Sequence, residues 1–183
     1  MQYKIIFFSL FSIIILTAPN CKKTNTKEQL PPETQEGKFT FGCKVDGKIY
    51  TASGMGGLLS NQHISYNLIT SDSSIYISAR NTNNPNFSFD LTIHYLGTLG
   101  TYLMKTYPYE GIFSDYSNGT IPGALNIFTT ADSYIGKVTI KYFNGSYKPY
   151  NKGTIMAGTF EMDAVNGNGK IIHITEGRFD VGQ

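Results

Sequence analysis

The chain has no tryptophan, two cysteines and three histidines. It also has no convincing helical periodicity from Lys38 onward. Each shortage excludes something. Without tryptophan, the largest aromatic platform for a stacked ligand is missing. His63, His94 and His173 are too far apart for a local zinc motif, and neither HExxH nor CxxC occurs. No G-x-S-x-G elbow exists, and the strand-to-helix turn it requires has no counterpart in the pattern. A net charge of only +2 gives no electrostatic footprint for nucleic acid. There is no internal repeat.

The one sustained apolar run comes at the start. Lys4 precedes Ile5 to Leu16, the layout of a secretory signal peptide, residues 1–20. The run is too short for a membrane-spanning helix, which needs about 20 apolar residues. Cleavage after Ala18 leaves Pro19 first, and cleavage after Asn20 leaves a polar residue at the site. Both are poor substrates for ordinary signal peptidase. Cys21 lies just beyond the run, where a lipoprotein cysteine is acylated and becomes the new N-terminus. The preceding Ala18-Pro19-Asn20 departs from the usual Leu-small-small pattern. Lipidation with two or more chains gives stable anchoring.

The second cysteine, Cys43, alternates with Phe39, Phe41 and Val45, on the apolar side of a strand, as a buried thiol. The alternative is a Cys21–Cys43 disulfide in an oxidising compartment. Residues 22–37 are rich in Lys, Thr, Asn, Gln and Glu and carry Pro31-Pro32, which reads as a flexible tether after the lipidated cysteine. Residues 38–183 are the size of one domain.

That domain reads as all-β. Short alternating runs of β-branched and aromatic residues are separated by Gly, Asn, Asp and Pro. The expected strands are 38–45, 48–52, 64–70, 74–80, 87–95, 100–105, 124–130, 134–143, 153–165 and 170–181. Asp46-Gly47 is a type I′ hairpin turn, and Asn166 to Gly169 turns the last hairpin. Gly177, inside a strand pattern, marks a bulge. Residues 106–122 read as an aromatic loop. About nine or ten antiparallel strands predict a two-sheet sandwich, with a closed barrel as the alternative.

Several stretches are shared with a known group. Cys21-Lys22-Lys23, Leu30 to Thr34, and Gly37-Lys38 through Gly47-Lys48 resemble a family of Bacteroidota lipoproteins. So do Ala157 to Glu161 and Ile174 to Val181. The resemblance covers about a third of the chain, at both ends of the domain. It implies a lipoprotein with an all-β domain of unknown function, and it implies no activity.

Candidate chemistry is sparse. Asp90 and His94 share a strand face, best read as a solvated surface. Glu161, Asp163 and Glu176 fall on neighbouring strands, where an acidic cluster could hold a cation or serve glycoside hydrolysis. No ligand-dense loop like that of an EF-hand accompanies them, and a charged outer face that blocks edge association explains them better. No catalytic residue, metal ligand or cofactor is expected. The remaining binding candidate is the aromatic segment carrying Tyr102, Tyr107, Tyr109, Phe113 and Tyr116, since tyrosines give contact area at low entropy cost. The expected protein is thus a non-enzymatic, envelope-anchored lipoprotein with a structural or partner-binding β-domain. The alternative is a carbohydrate- or small-ligand-binding module using residues 102–116. Lys22-Lys23 after the anchor favours the periplasmic side of an outer membrane.

Overall fold

A computed structural model describes residues 29–55, 61–69, 74–83, 86–94, 98–105, 110–115, 127–145 and 154–182. Every regular element among them is a strand. These are β1 (Thr40–Val45), β2 (Lys48–Ser53), β3 (Gln62–Ile69), β4 (Ser74–Asn81), β5 (Phe87–His94) and β6 (Gly100–Met104). They continue with β7 (Glu110–Asp115), β8 (Ile127–Thr129), β9 (Gly136–Phe143), β10 (Ile155–Val165) and β11 (Ile171–Gly182). All pairings are antiparallel, in the order β2-β1-β11-β10-β8-β7-β5-β4-β3. The sheet curls until its ends meet. The Ile64 amide donates to the Gly54 carbonyl at 3.0 Å, Ser53 Oγ to Gln62 Oε1 at 3.0 Å, and Asn81 Nδ2 to the Thr51 carbonyl at 2.9 Å. The all-β expectation holds, and the nearly closed barrel, rather than two separate sheets, is its form.

The local signals act as expected at both hairpins. Asp46 and Gly47 have φ of 49° and 84°, the left-handed pair that a type I′ turn requires. In the last hairpin Asn166 Oδ1 accepts from the amides of Asn168 and Lys170 at 3.1 and 2.8 Å. One expectation fails. Residues 110–115, read as loop, form β7 between β5 and β8.

The sheet forks at β10. Val165 faces Thr129 of β8, and Met162 faces Gly136 of β9. Between those pairs β10 advances by Asp163 and Ala164, while its partner inserts Thr130 to Ile135. The insertion is a tight turn closed by reciprocal bonds between Ala131 and Tyr134 at 3.1 and 2.9 Å. Beyond the fork, β8 leads into the barrel wall and β9 leads to a side wing with β6. Met104 and Met162 plug the junction, where Gly111 and Gly136 leave space for them. Unbranched thioethers suit such irregular gaps.

Alternating side chains fill the barrel. Phe41, Phe89 and Phe160 form one group with ring centroids 4.8–5.4 Å apart. Tyr50 stands edge-on to Phe113 at 5.2 Å, and to Phe87 at 5.4 Å. Such pairs add about 0.5–1.5 kcal/mol each beyond burial. Phe160 and Phe179 are core anchors, as their strand positions predict. Cys43 is free and wholly buried in this core, and burial pushes its thiol far above the usual range.

Candidate functional site

The interior is occupied by side chains, so the described concavities lie on the outside. Two depressions of about 250 and 180 Å³ adjoin across the outer faces of β9, β10 and β11, sharing Lys137 and Glu161. Leu103, Ile135, Asp163 and Thr175 border the first. Glu33, Thr139, Thr159, Glu176 and Arg178 border the second. Leu103 and Ile135 are exposed, giving one end an apolar rim.

The floor exists because of cross-strand register. Lys137 stands opposite Glu161, Thr139 opposite Thr159, and Thr159 opposite Arg178. Strand alternation turns these residues outward while Val138, Phe160 and Phe179 point into the core. At the β11 bulge, Phe160 pairs with Gly177 but Met162 pairs with Ile174, so Thr175 and Glu176 together face Glu161. The predicted bulge is present, with a difference in detail. The left-handed residue is Glu176, at φ 52°. Gly177 is needed for another reason: a Cβ there would lie 2.5 Å from the Phe160 ring and from its carbonyl oxygen.

The three acids that a hydrolase would use each have a basic partner. Lys137 Nζ lies 2.8 Å from Glu161, Lys44 Nζ 2.5 Å from Glu176, and His173 Nδ1 2.7 Å from Asp163. The exposed Lys137–Glu161 and Lys44–Glu176 pairs each stabilise by about 0.2–1 kcal/mol at most. Their arrangement is a ladder of opposite charges across strands; β10 and β11 have paired strands on both sides, so these charges do not guard a sheet edge. Among the described residues, no three His, Cys, Asp or Glu side chains converge as metal ligands would.

His173 shows how these pairs respond to pH. The hydrogen bond to Asp163, then that carboxylate's charge, raises its pKa above the ordinary histidine value. The pair's stabilisation is full below the unfolded pKa and is lost as pH rises through the higher folded one. An NMR titration of His173 should therefore show a raised midpoint in the wild type. Asp163→Asn should bring it down towards the ordinary value; an unchanged midpoint would remove Asp163 as the cause.

The aromatic candidates separate. Tyr102 lies on β6, packs against the core and donates from its hydroxyl to the Thr98 carbonyl at 2.5 Å. Phe113 belongs to the core, between Tyr50 and Phe87, and not to a binding loop. Tyr107, Tyr109 and Tyr116 lie outside the described residues, as does Cys21. Asp90 accepts from the Tyr76 hydroxyl at 2.5 Å. Burial, then this carboxylate, pushes the Tyr76 phenol up. The His94 side chain is outside the described set.

A feature missed at the level of sequence forms one wall of the site. Residues 30–37, read as tether, are strapped across the outer face of the barrel. Leu30 and Pro31 cover Gly42, where an added Cβ would come within 2.5 Å of the proline ring. Arg178 Nη1 donates to the Pro31 carbonyl at 3.3 Å. Lys141 Nζ binds Glu33 at 2.6 Å and holds that carboxyl below its usual range. The strap closes on Asp180, which is only 1% exposed. Its Oδ2 accepts from Thr34 Oγ1 at 2.5 Å and from the Glu36 amide at 3.1 Å, and its Oδ1 from the Gly37 amide at 2.8 Å. Burial alone would raise the Asp180 pKa. The hydrogen bonds from Thr34 and from the Glu36, Gly37 and Lys38 amides outweigh it and hold the group ionised below its usual range. No family model, curated protein or solved structure matches this chain.

Proposed function

We propose that this is an exported lipoprotein of the cell envelope, anchored to the outer membrane through Cys21, whose barrel is non-catalytic and serves as a structural or partner-binding domain. The observation that carries the domain reading is the filled interior. Phe41, Phe89, Phe113 and Phe160 occupy the space where a ligand-carrying barrel would hold its cargo. Recognition is thereby left to the outer face, where the trench over β9–β11 offers a described depression. Its polar floor and short apolar rim suit a protein or glycan surface better than a buried small molecule. The anchor reading rests on the sequence around Cys21 and on its resemblance to lipoproteins.

Mass spectrometry of the mature protein tests the anchor. The expected N-terminus is acylated Cys21, with Cys43 as the sole free thiol, unreactive until the protein is unfolded. A mature N-terminus elsewhere would overturn the anchor. Binding is tested with glycan arrays and envelope fractions, using a soluble form beginning at Gln29. Starting at Lys38 would remove the strap and one wall of the trench. Turnover of a glycan, ester or peptide substrate, rather than binding, would overturn the non-catalytic reading.

A further inference from the structure

If residues 22–37 were a free tether, the barrel would begin at Thr40, nineteen peptide steps from Cys21. At about 3.4 Å per extended step that leash reaches roughly 65 Å. The docked strap removes half of it. Leu30 is already seated against Gly42 on the outer face of β1, nine steps from Cys21, a reach of roughly 30 Å.

We infer that the strap, by docking residues 30–37 across β1, β9, β10 and β11, sets the height and orientation of the barrel above the bilayer; the inference rests on the Cys21 anchor proposed above. The partner of this arrangement is the lipid surface that holds the anchor. The chain reaches the barrel at Gly42, on the sheet face that carries the strap. That side is held towards the membrane, so the trench beside the strap opens onto the space between barrel and bilayer, and the Ala131–Tyr134 turn serves as a marker on the protein. The strap is held at Glu33 on Lys141, the Pro31 carbonyl on Arg178, and Thr34, Glu36 and Gly37 on Asp180.

The test uses the full acylated chain in phosphatidylcholine vesicles. A fluorophore is placed on the exposed turn through Ser133→Cys, and energy transfer to an acceptor lipid reports height. Buried Cys43 stays unlabelled under native conditions. Glu33→Ala combined with Thr34→Val loosens the strap while leaving the Asp180 carboxylate in place. Since the reach doubles, transfer should fall about twofold or more in that variant. Asp180→Asn should act in the same direction. A ten-residue Gly-Ser insertion between Gln29 and Leu30, which lengthens the leash without touching the strap, should lower transfer comparably. If the acylated variants show the wild-type transfer efficiency while the insertion lowers it, the strap does not set the height and the inference falls. If the protein is not acylated at Cys21, the anchor itself fails, which the N-terminal mass reads separately. If Asp180→Asn unfolds, the Glu33–Thr34 double variant still decides the matter.

Discussion

Gly177→Ala is expected to lower the melting temperature by roughly 10 °C, or to prevent folding. The new Cβ would meet Phe160 Cδ2, Cε2 and the Phe160 carbonyl oxygen, all at 2.5 Å. The ring has nowhere to go. Phe160 is stacked on Phe41 at 5.4 Å and tilted against Phe89 at 4.8 Å. The carbonyl belongs to the backbone of β10, so moving it disturbs the ladder with β11. Overpacking of this kind costs about 1–3 kcal/mol when side chains can yield. Here one of the obstacles is backbone, so the upper end applies. Glu176→Gly serves as the contrast. It relieves a non-glycine φ of 52°, worth about 1 kcal/mol or somewhat more, while giving up the exposed pair with Lys44, worth about 1 kcal/mol or less, so the two effects oppose each other. Thermal denaturation of the two variants side by side is the measurement. If both melt with the wild type, the close approach described at Gly177 is wrong.

The second large effect is at Asp180. Replacing it with alanine should destabilise the domain by about 2–3 kcal/mol, because hydrogen bonds to a buried charge are worth about 1.5–3 kcal/mol each and the freed donors recover part of that from water. The strap is finely balanced. Ordering its eight residues costs about 8 kcal/mol at the low end, less for the two prolines. The three hydrogen bonds that Thr34, Glu36 and Gly37 of the strap donate to this carboxylate offset about 5–9 kcal/mol of it. Loss of the carboxylate therefore frees the strap, and protease cleavage after Lys38 should become rapid while the barrel stays folded. The pH dependence has a definite sign. The folded pKa of Asp180 is depressed. Its contribution is present above the unfolded value of about 3.9 and is lost as pH falls through the lower folded value. Urea midpoints of wild type and Asp180→Ala should differ at neutral pH and converge in acid. A constant difference down to the lowest pH would show that the carboxylate's charge is not what holds the strap.

Most strands were legible because their signals are local. Alternation marks β5 through Phe87, Phe89, Leu91 and Ile93, and Asp46-Gly47 marks the first hairpin with no help from tertiary structure. Strand β7 was not legible for a reason that lies elsewhere in the chain. Its inward positions include Gly111, which breaks the apolar alternation, and glycine stands there because Met162 Sδ fills the space a Cβ would need. The strap escaped notice for a similar reason. Its composition is that of a disordered linker. What orders it is a carboxylate 146 positions away from Thr34, embedded in a strand pattern that reads as ordinary β-sheet. As for the candidate site, the acids on β10 and β11 were visible as a group. Their pairing with Lys137, Lys44 and His173 follows only from register and from the bulge, which no local pattern encodes.

The pairing of β1 with β11 bears on when this chain folds. Thr40 lies against Asp180, and β1 has only β2 beside it until β11 arrives. Contacts this far apart in sequence form slowly, because the loop they close must lose its entropy first. The aromatic core waits for the same event, since Phe160 is contributed by β10 and Phe179 by β11. A chain emerging from its N-terminus thus has no complete barrel to form until nearly all of it is available. For a protein proposed to cross a membrane unfolded, behind a leader, the order of its strands keeps it threadable until the crossing is done.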